Sequence, residues 1–278
     1  MDQLDIRLFG SMQLTRGELP LTNFGSNKVR ALFAYLVVES GHPHQRRRLG
    51  ALLWPEVPET TALTNLRYAL SNLRKAIGDH SARPAYLITS PQTIQFNEKA
   101  HYWVDVAQFE EACKLARQNP LDFPSLLRAA GLYQGRFLAG FSIPDSIPYE
   151  EWIVLKRERF DRLAYQVFHR LANYYELIGD YEHALGFAQR QIELDPWREE
   201  VHRLIMRCLY FSGQRSAAIG QYDACCQSLK SDLGIEPNPD TQALFEAIRS
   251  NRLPAPPSPP AFFLRSPSLQ QERPDFVD

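Results

Sequence analysis

Thr64, Arg67, Tyr68, Ser71, Asn72 and Lys75 fall on one side of a candidate helix, and no acid interrupts them. Arginine can read guanine bidentately, asparagine can pair with adenine, and threonine or tyrosine can touch thymine methyl groups or phosphates. A solvated helix face is the other reading, but such faces usually mix Glu with Lys, and this one does not. Arg46, Arg47 and Arg48 stand together at the start of the preceding candidate helix. Three adjacent guanidiniums there repel one another and oppose the helix dipole, a cost that nearby phosphates would relieve. Lys28, Arg30 and Arg74 complete the set of expected phosphate contacts. The pattern points to base contacts from the first group and backbone contacts from the second.

Other chemistries find little support. The chain has no G-x-x-x-x-G-K-[ST] phosphate loop, no G-x-S-x-G elbow and no H-E-x-x-H pair, which argues against an enzyme. His42-Pro43-His44 sits in a proline turn without a nearby acid or cysteine and reads as loop rather than metal site. Cys113, Cys208, Cys225 and Cys226 form no C-x-x-C pair and read as free, buried thiols. No cofactor is expected.

The elements that must carry these residues can be traced by periodicity. Short apolar runs over 4–9, 12–14 and 19–21, broken by turn residues, predict small strands. Ser26 is a candidate N-cap for a first helix with apolar Val29, Leu32, Phe33, Leu36 and Val37, ended by Gly41 and Pro43. A second helix is predicted over 45–53, stopped at Trp54-Pro55. A longer third helix over 59–77 repeats Leu63, Leu66, Leu70, Leu73 and Ile77 at helical spacing and stops at Gly78. Runs over 85–89 and 93–96 then predict a hairpin around Ser90-Pro91-Gln92. Strands, three helices and a terminal hairpin are the order of a winged helix-turn-helix domain, whose third helix can enter the major groove.

Beyond about residue 105 the pattern is helical. Gly179, Tyr181 and Ala184 match Gly213, Arg215 and Ala218 at a constant offset of 34, the tetratricopeptide period. Leu171, Tyr175, Ala184 and Pro196 fall where that motif places them, while its Trp and Phe positions are not matched. Stacked helical hairpins of this kind leave a concave surface suited to binding protein. The expected fold class is mainly α with a small β component: a winged helix over 1–98, a tetratricopeptide-like domain over 102–250, and a proline-rich linker over 251–278. Because a terminal linker connects to nothing, residue 278 is expected to be a boundary rather than a natural end.

Composition agrees with a folded protein, with 44% hydrophobic and 23% charged residues. The net charge of -1 hides an asymmetry: residues 1–100 carry 12 Lys/Arg and 8 Asp/Glu, whereas the remainder carries 19 and 24. That basic excess at one end suits a polyanionic partner. There is no signal peptide and no long apolar run, so a cytoplasmic location away from membranes is expected.

Leu52-Leu53-Trp54-Pro55-Glu56 followed by Ala62-x-x-Asn65-Leu66-Arg67-x-Ala69-Leu70-x-x-Leu73-Arg74-Lys75 resembles the OmpR-like winged helix of SARP-type bacterial transcriptional regulators. Asp105-Val106-x-x-Phe109, Leu132-Tyr133-x-Gly135-x-Phe137-Leu138, Trp152 with Arg157, and Asp232-Leu233-Gly234-Ile235-Glu236-Pro237 with Thr241 resemble the bacterial transcriptional activator domain that accompanies it. The resemblance covers about residues 4–250. It implies an activator that binds double-stranded promoter DNA, as a homodimer on repeated half-sites, and contacts RNA polymerase. Larger members continue into a P-loop ATPase, and Asp275-Phe276-Val277-Asp278 is similar to the approach to that domain, which this chain does not contain. The rival reading is a protein-interaction scaffold in which the repeats bind protein and the winged helix merely packs. An exposed third-helix face favours DNA binding; a buried one favours the scaffold.

Overall fold

The computed structural model describes residues 3–256 of the 278-residue chain. They form two compact units: the chain up to Ala112 together with Gly131–Phe160, and Cys113–Ala130 together with the described residues from Asp161 onward. The fold is mainly helical with a small β component.

In the first unit, β1 (Leu4–Arg7) alternates buried Leu4 and Ile6 with more exposed Asp5 and Arg7, the period of a strand with one face on a core. It pairs antiparallel with β2 (Gln13–Arg16), which pairs with β3 (Leu19–Pro20). Three helices follow. In α1 (Asn27–Val38), the Ser26 hydroxyl accepts from the Val29 amide, as an N-cap should, and Val29, Leu32, Phe33, Leu36 and Val37 are buried. A two-residue strand, β4 (His44–Gln45), leads into α2 (Arg46–Leu53). In α3 (Glu59–Ala76), Leu66, Leu70 and Leu73 are buried, and Gly50 of α2 lies close against Ala62, where a Cβ would stand 3.4 Å from the alanine methyl. Helices α2 and α3 thus cross on small residues. The hairpin of β5 (Leu87–Thr89) and β6 (Thr93–Phe96) joins β4 in a second sheet ordered β4-β6-β5.

Two features were not visible as periodicity. Strand β7 (Tyr102–Val104) adds to β1 in parallel, making a first sheet ordered β3-β2-β1-β7. His44, read from sequence as a loop residue, lies in β4 and is buried, with Nε2 2.7 Å from the Glu39 carbonyl oxygen; burial lowers its pKa. Both depend on pairing between distant segments, which no local spacing encodes.

Residues 131–160 pack with the first hundred for a specific reason. Helix α4 (Asp105–Gln118) begins at Asp105, whose buried carboxylate accepts from the amides of Leu8 (2.8 Å), Phe9 (2.9 Å) and Val106 (2.7 Å). Beside it, the Leu138 amide donates to the Leu8 carbonyl and the Gly10 amide to that of Arg136. Phe109, Tyr133 and Phe160 surround Phe9 at this junction in edge-on and tilted contacts, their ring centroids 4.9 to 5.3 Å from its own. After α5 (Phe123–Leu132), the first part of α6 (Ile147–Leu177) lies on the helical trio. The Tyr149 hydroxyl donates to the Ala31 carbonyl, while Trp152 Nε1 and Lys156 Nζ both reach Glu39 Oε1, at 2.8 and 2.7 Å. Arg157 donates to the carbonyls of Phe137 and Leu138. The motif residues Phe137, Leu138, Trp152 and Arg157 therefore act as joints.

The second unit contains α7 (Tyr181–Leu194), α8 (Glu199–Phe211), α9 (Arg215–Asp232) and α10 (Pro239–Arg249), with successive helices packed on each other. The 34-residue offset reappears as hydrogen bonding. The Asp180 amide donates to the Tyr175 carbonyl and the Gln214 amide to that of Leu209, each across a left-handed glycine, Gly179 (φ +80) and Gly213 (φ +78). This is the Schellman stop, in which glycine takes the left-handed conformation at no steric cost. Ala184 and Ala218, also 34 apart, are both fully buried. After α10, Leu253 packs against the cluster of Met206, Ala218 and Ile248. Residues 257–278, most of the expected proline-rich linker, lie outside the described residues.

Asp105 makes a stability prediction. Burial pushes its pKa up to about 6, against the lowering effect of the three amides. The folded chain therefore holds a proton that the unfolded chain releases near pH 4, so this contribution is complete below about pH 4 and is lost as pH rises through about 6. Asp105→Asn should remove that slope in urea unfolding measured between pH 4 and 7. Asp105→Ala, which strands three buried amides, should cost about 3 kcal/mol or more at any pH in that range.

Candidate nucleic-acid interface

The leucine stripe of α3 turns the opposite face outward, and Thr64, Arg67, Tyr68, Ser71, Asn72 and Lys75 are all exposed. Tyr68 is 69% exposed, an unusual position for so large a ring. The Thr64 hydroxyl donates to the Thr60 carbonyl at 2.9 Å. Asn72 lies near the Gly25 turn, where a Cβ would approach its amide nitrogen to 3.7 Å.

The start of α2 and the tip of the β5–β6 hairpin meet this face. The Arg46 amide donates to the Gln92 carbonyl at 2.9 Å, and its Nε donates to the Ser90 carbonyl at 3.0 Å. Ser90 closes the turn itself, its hydroxyl accepting from the amides of Gln92 and Thr93. A groove of about 690 Å³ results, lined by Gln45, Arg46, Arg47, Leu63, Arg67, Pro91, Gln92 and Thr93. Three guanidiniums, from Arg46, Arg47 and Arg67, line it. Burial first, and then the charge of Arg67, lower the pKa of Arg46. Arg47 pairs with Glu59 at 2.9 Å, but both side chains are more than half exposed, so the pair holds the arginine only weakly. Arg48 is exposed beside it.

The other three cations have internal partners. Lys28 donates to the Leu53 carbonyl, pairs with Asp145 at 3.0 Å and lies over the Trp54 ring. Arg30 is half-buried beside Phe24. Arg74 Nε donates to Asp79 at 2.8 Å, and the other oxygen of that fully buried carboxylate accepts from the Leu87 amide at 3.0 Å. Asp79 follows Gly78 (φ +60), with the same Schellman bonding, Asp79 amide to Arg74 carbonyl, that ends α6 and α8. One carboxylate thus ties the end of α3 to the first strand of the hairpin.

Sequence reasoning singled out the α3 face and the arginine triplet but not Pro91, Gln92 and Thr93, which complete the lining of the groove. The available signal was a tight polar turn in a hairpin expected to lie beside that helix. Among the described residues no cluster of three His, Cys, Asp or Glu could hold a metal ion, and no helix is long and apolar enough to cross a membrane. The four cysteines are free; three are buried and Cys226 is half-buried.

An exposed polar helix face flanked by a pinned hairpin and the arginines at the start of α2, on a sheet-and-three-helix unit, defines a winged helix-turn-helix protein joined to helical repeats. Residues 104–249 match the family model of the bacterial transcriptional activator domain, and the chain belongs to that family, within the SARP-type regulators. It is similar to the regulatory protein AfsR of Streptomyces griseus, 26% identical over 284 residues, covering 99% of this chain and 28% of that protein. It is also similar to the transcriptional regulatory protein EmbR of Mycobacterium tuberculosis, 28% identical over 259 residues, covering 88% of this chain and 63% of that protein. A solved structure of Mycobacterium tuberculosis EmbR in complex with a low-affinity phosphopeptide shares the fold, with a TM-score of 0.65 and 23% identity, over 92% of this chain and 67% of that one. This chain spans about a quarter of the AfsR relative and under two thirds of EmbR.

The two kinds of arginine should separate by stability. Arg74→Ala leaves a buried carboxylate short of a cationic partner and should lower unfolding free energy by about 2–3 kcal/mol. Arg67→Ala removes an exposed side chain and should change it by less than about 0.5 kcal/mol. Urea unfolding of both variants checks this contrast.

Proposed function

We propose that the chain is a sequence-specific DNA-binding transcriptional regulator, an activator that reads promoter DNA with α3 and meets its protein partners through the helical part. The observation that carries this reading is the coincidence of an exposed, acid-free α3 face with a groove lined by three arginines and closed by the hairpin tip. The helix enters the major groove, with Thr64, Arg67, Tyr68, Ser71, Asn72 and Lys75 as base contacts. Phosphate contact is assigned first to Arg46 and Arg47, which line the groove, and to the exposed Arg48; Lys28, Arg30 and Arg74, which do not line it and are partly buried against internal partners, are at most secondary contacts. The winged-helix part is taken as 1–98 and the activator part as 102–250, with RNA polymerase or a second copy of the chain as the partner of the latter. Such work is done in the cytoplasm. The regulator names carried by the AfsR and EmbR relatives support the reading, and the exposure of the α3 face weighs against a scaffold in which the winged helix merely packs.

Selection of bound duplexes from random oligonucleotides by the full chain gives the site; titrations at several salt concentrations then test the roles. Arg67→Ala should lose about 1–3 kcal/mol on the selected site and relax discrimination at one base position. Arg48→Ala should weaken selected and scrambled DNA alike and lower the salt slope by about one. If Arg67→Ala and Asn72→Ala both keep wild-type affinity and sequence preference, α3 is not the reader.

A further inference from the structure

A second basic pocket lies at the other end of α3, away from the hairpin tip, and plays no part in the reading above. It has a volume of about 120 Å³ and is lined chiefly by Arg16, Ser81, Arg83, Tyr86 and His101. Among the described residues no carboxylate lines it. Arg16 reaches across from β2, one terminal nitrogen donating to the Ile77 carbonyl, with the guanidinium pressed against Gly78 and lying 5.8 Å from the centre of the Tyr86 ring. Its Nε is buried and has no acceptor among the described residues. Buried N–H groups are rarely left so, and a charged one least of all. Arg83 uses a single terminal nitrogen, Nη1, on the carbonyls of His80 and Ala82, leaving the rest of its fork for another acceptor.

We propose that this pocket binds a phosphate-type oxyanion, either inorganic phosphate or the terminal group of a small phosphomonoester. Its volume suits one tetrahedral group and is well below the several hundred Å³ of sites for larger ligands. Two guanidinium groups and an imidazole line the pocket, and a bound anion would accept from the unused nitrogens of Arg83 and offset the repulsion between the two guanidiniums. The ligand would bridge β2 and the segment that joins α3 to the hairpin.

The test is calorimetric titration of the full chain with sodium phosphate and, separately, with phenyl phosphate, against sodium chloride at matched ionic strength. Saturable binding of phosphate is expected, weakened about tenfold or more in Arg83→Ala, whose fold is checked by circular dichroism, and unchanged in Arg252→Ala, an exposed arginine that lines neither basic site. Binding of phenyl phosphate as well assigns the site to monoesters; binding of inorganic phosphate alone assigns it to the free ion. Absence of saturable binding overturns the proposal, as does binding that Arg46→Ala abolishes and Arg83→Ala leaves intact.

Discussion

The carboxylate of Asp79 is the constraint on which the reading surface depends. It is fully buried, and its two oxygens hold Arg74 near the end of α3 and the amide of Leu87 at the start of β5. A helix end and a strand start held by one group cannot move independently. At the far end of the hairpin, Arg46 holds the turn by its amide and its guanidinium, so the hairpin is fixed at base and tip. The groove exists because both ties are made, and ordering of the hairpin is completed in folding rather than left to association, where it would weaken binding.

The rest of the first unit supports that arrangement from behind. Asp105 gathers three amides where β1 ends and α4 begins, and Glu39 at the end of α1 collects Trp152 and Lys156 from α6. Residues 131–160, which carry part of the activator-domain motif, are therefore part of the compact unit that contains the winged helix. The Phe137, Trp152 and Arg157 positions are explained by this packing without any appeal to ligand binding. Removing the activator segment from the sequence would strip the winged helix of the partners of Glu39 and Ala31.

Much of this was legible in the sequence, for physical reasons that differ by element. The α3 stripe, the Ser26 cap, the hairpin and the 34-residue period follow from local spacing, and local spacing is what a helix or hairpin is made of. Gly78 announced a helix end because only the left-handed conformation closes a Schellman turn cheaply there, whereas Gly179 and Gly213 read from sequence only as repeat positions and proved to close the same turn. Strand β7 stayed hidden because its partner β1 lies nearly a hundred residues earlier, and β4 because two residues carry no period. At the site, residue type identified the cations but could not sort them. Lys28 and Arg74 look as basic as Arg47 and Arg48 in the sequence, and only three-dimensional neighbours show that the first two are partly buried against their partners while the other two stay exposed.

The central claim is that α3 and the pinned hairpin together form one DNA-reading surface. Hydroxyl-radical footprinting of the full chain on a duplex selected from random sequence tests it most directly. The account predicts a protected stretch on both strands flanking one major-groove turn, with an adjacent shorter protection from the hairpin, and loss of only the latter in a variant with Ser90, Pro91 and Gln92 replaced by glycine. Recovery of no selectable duplex, or a footprint indifferent to both the α3 face and the hairpin tip, would contradict it.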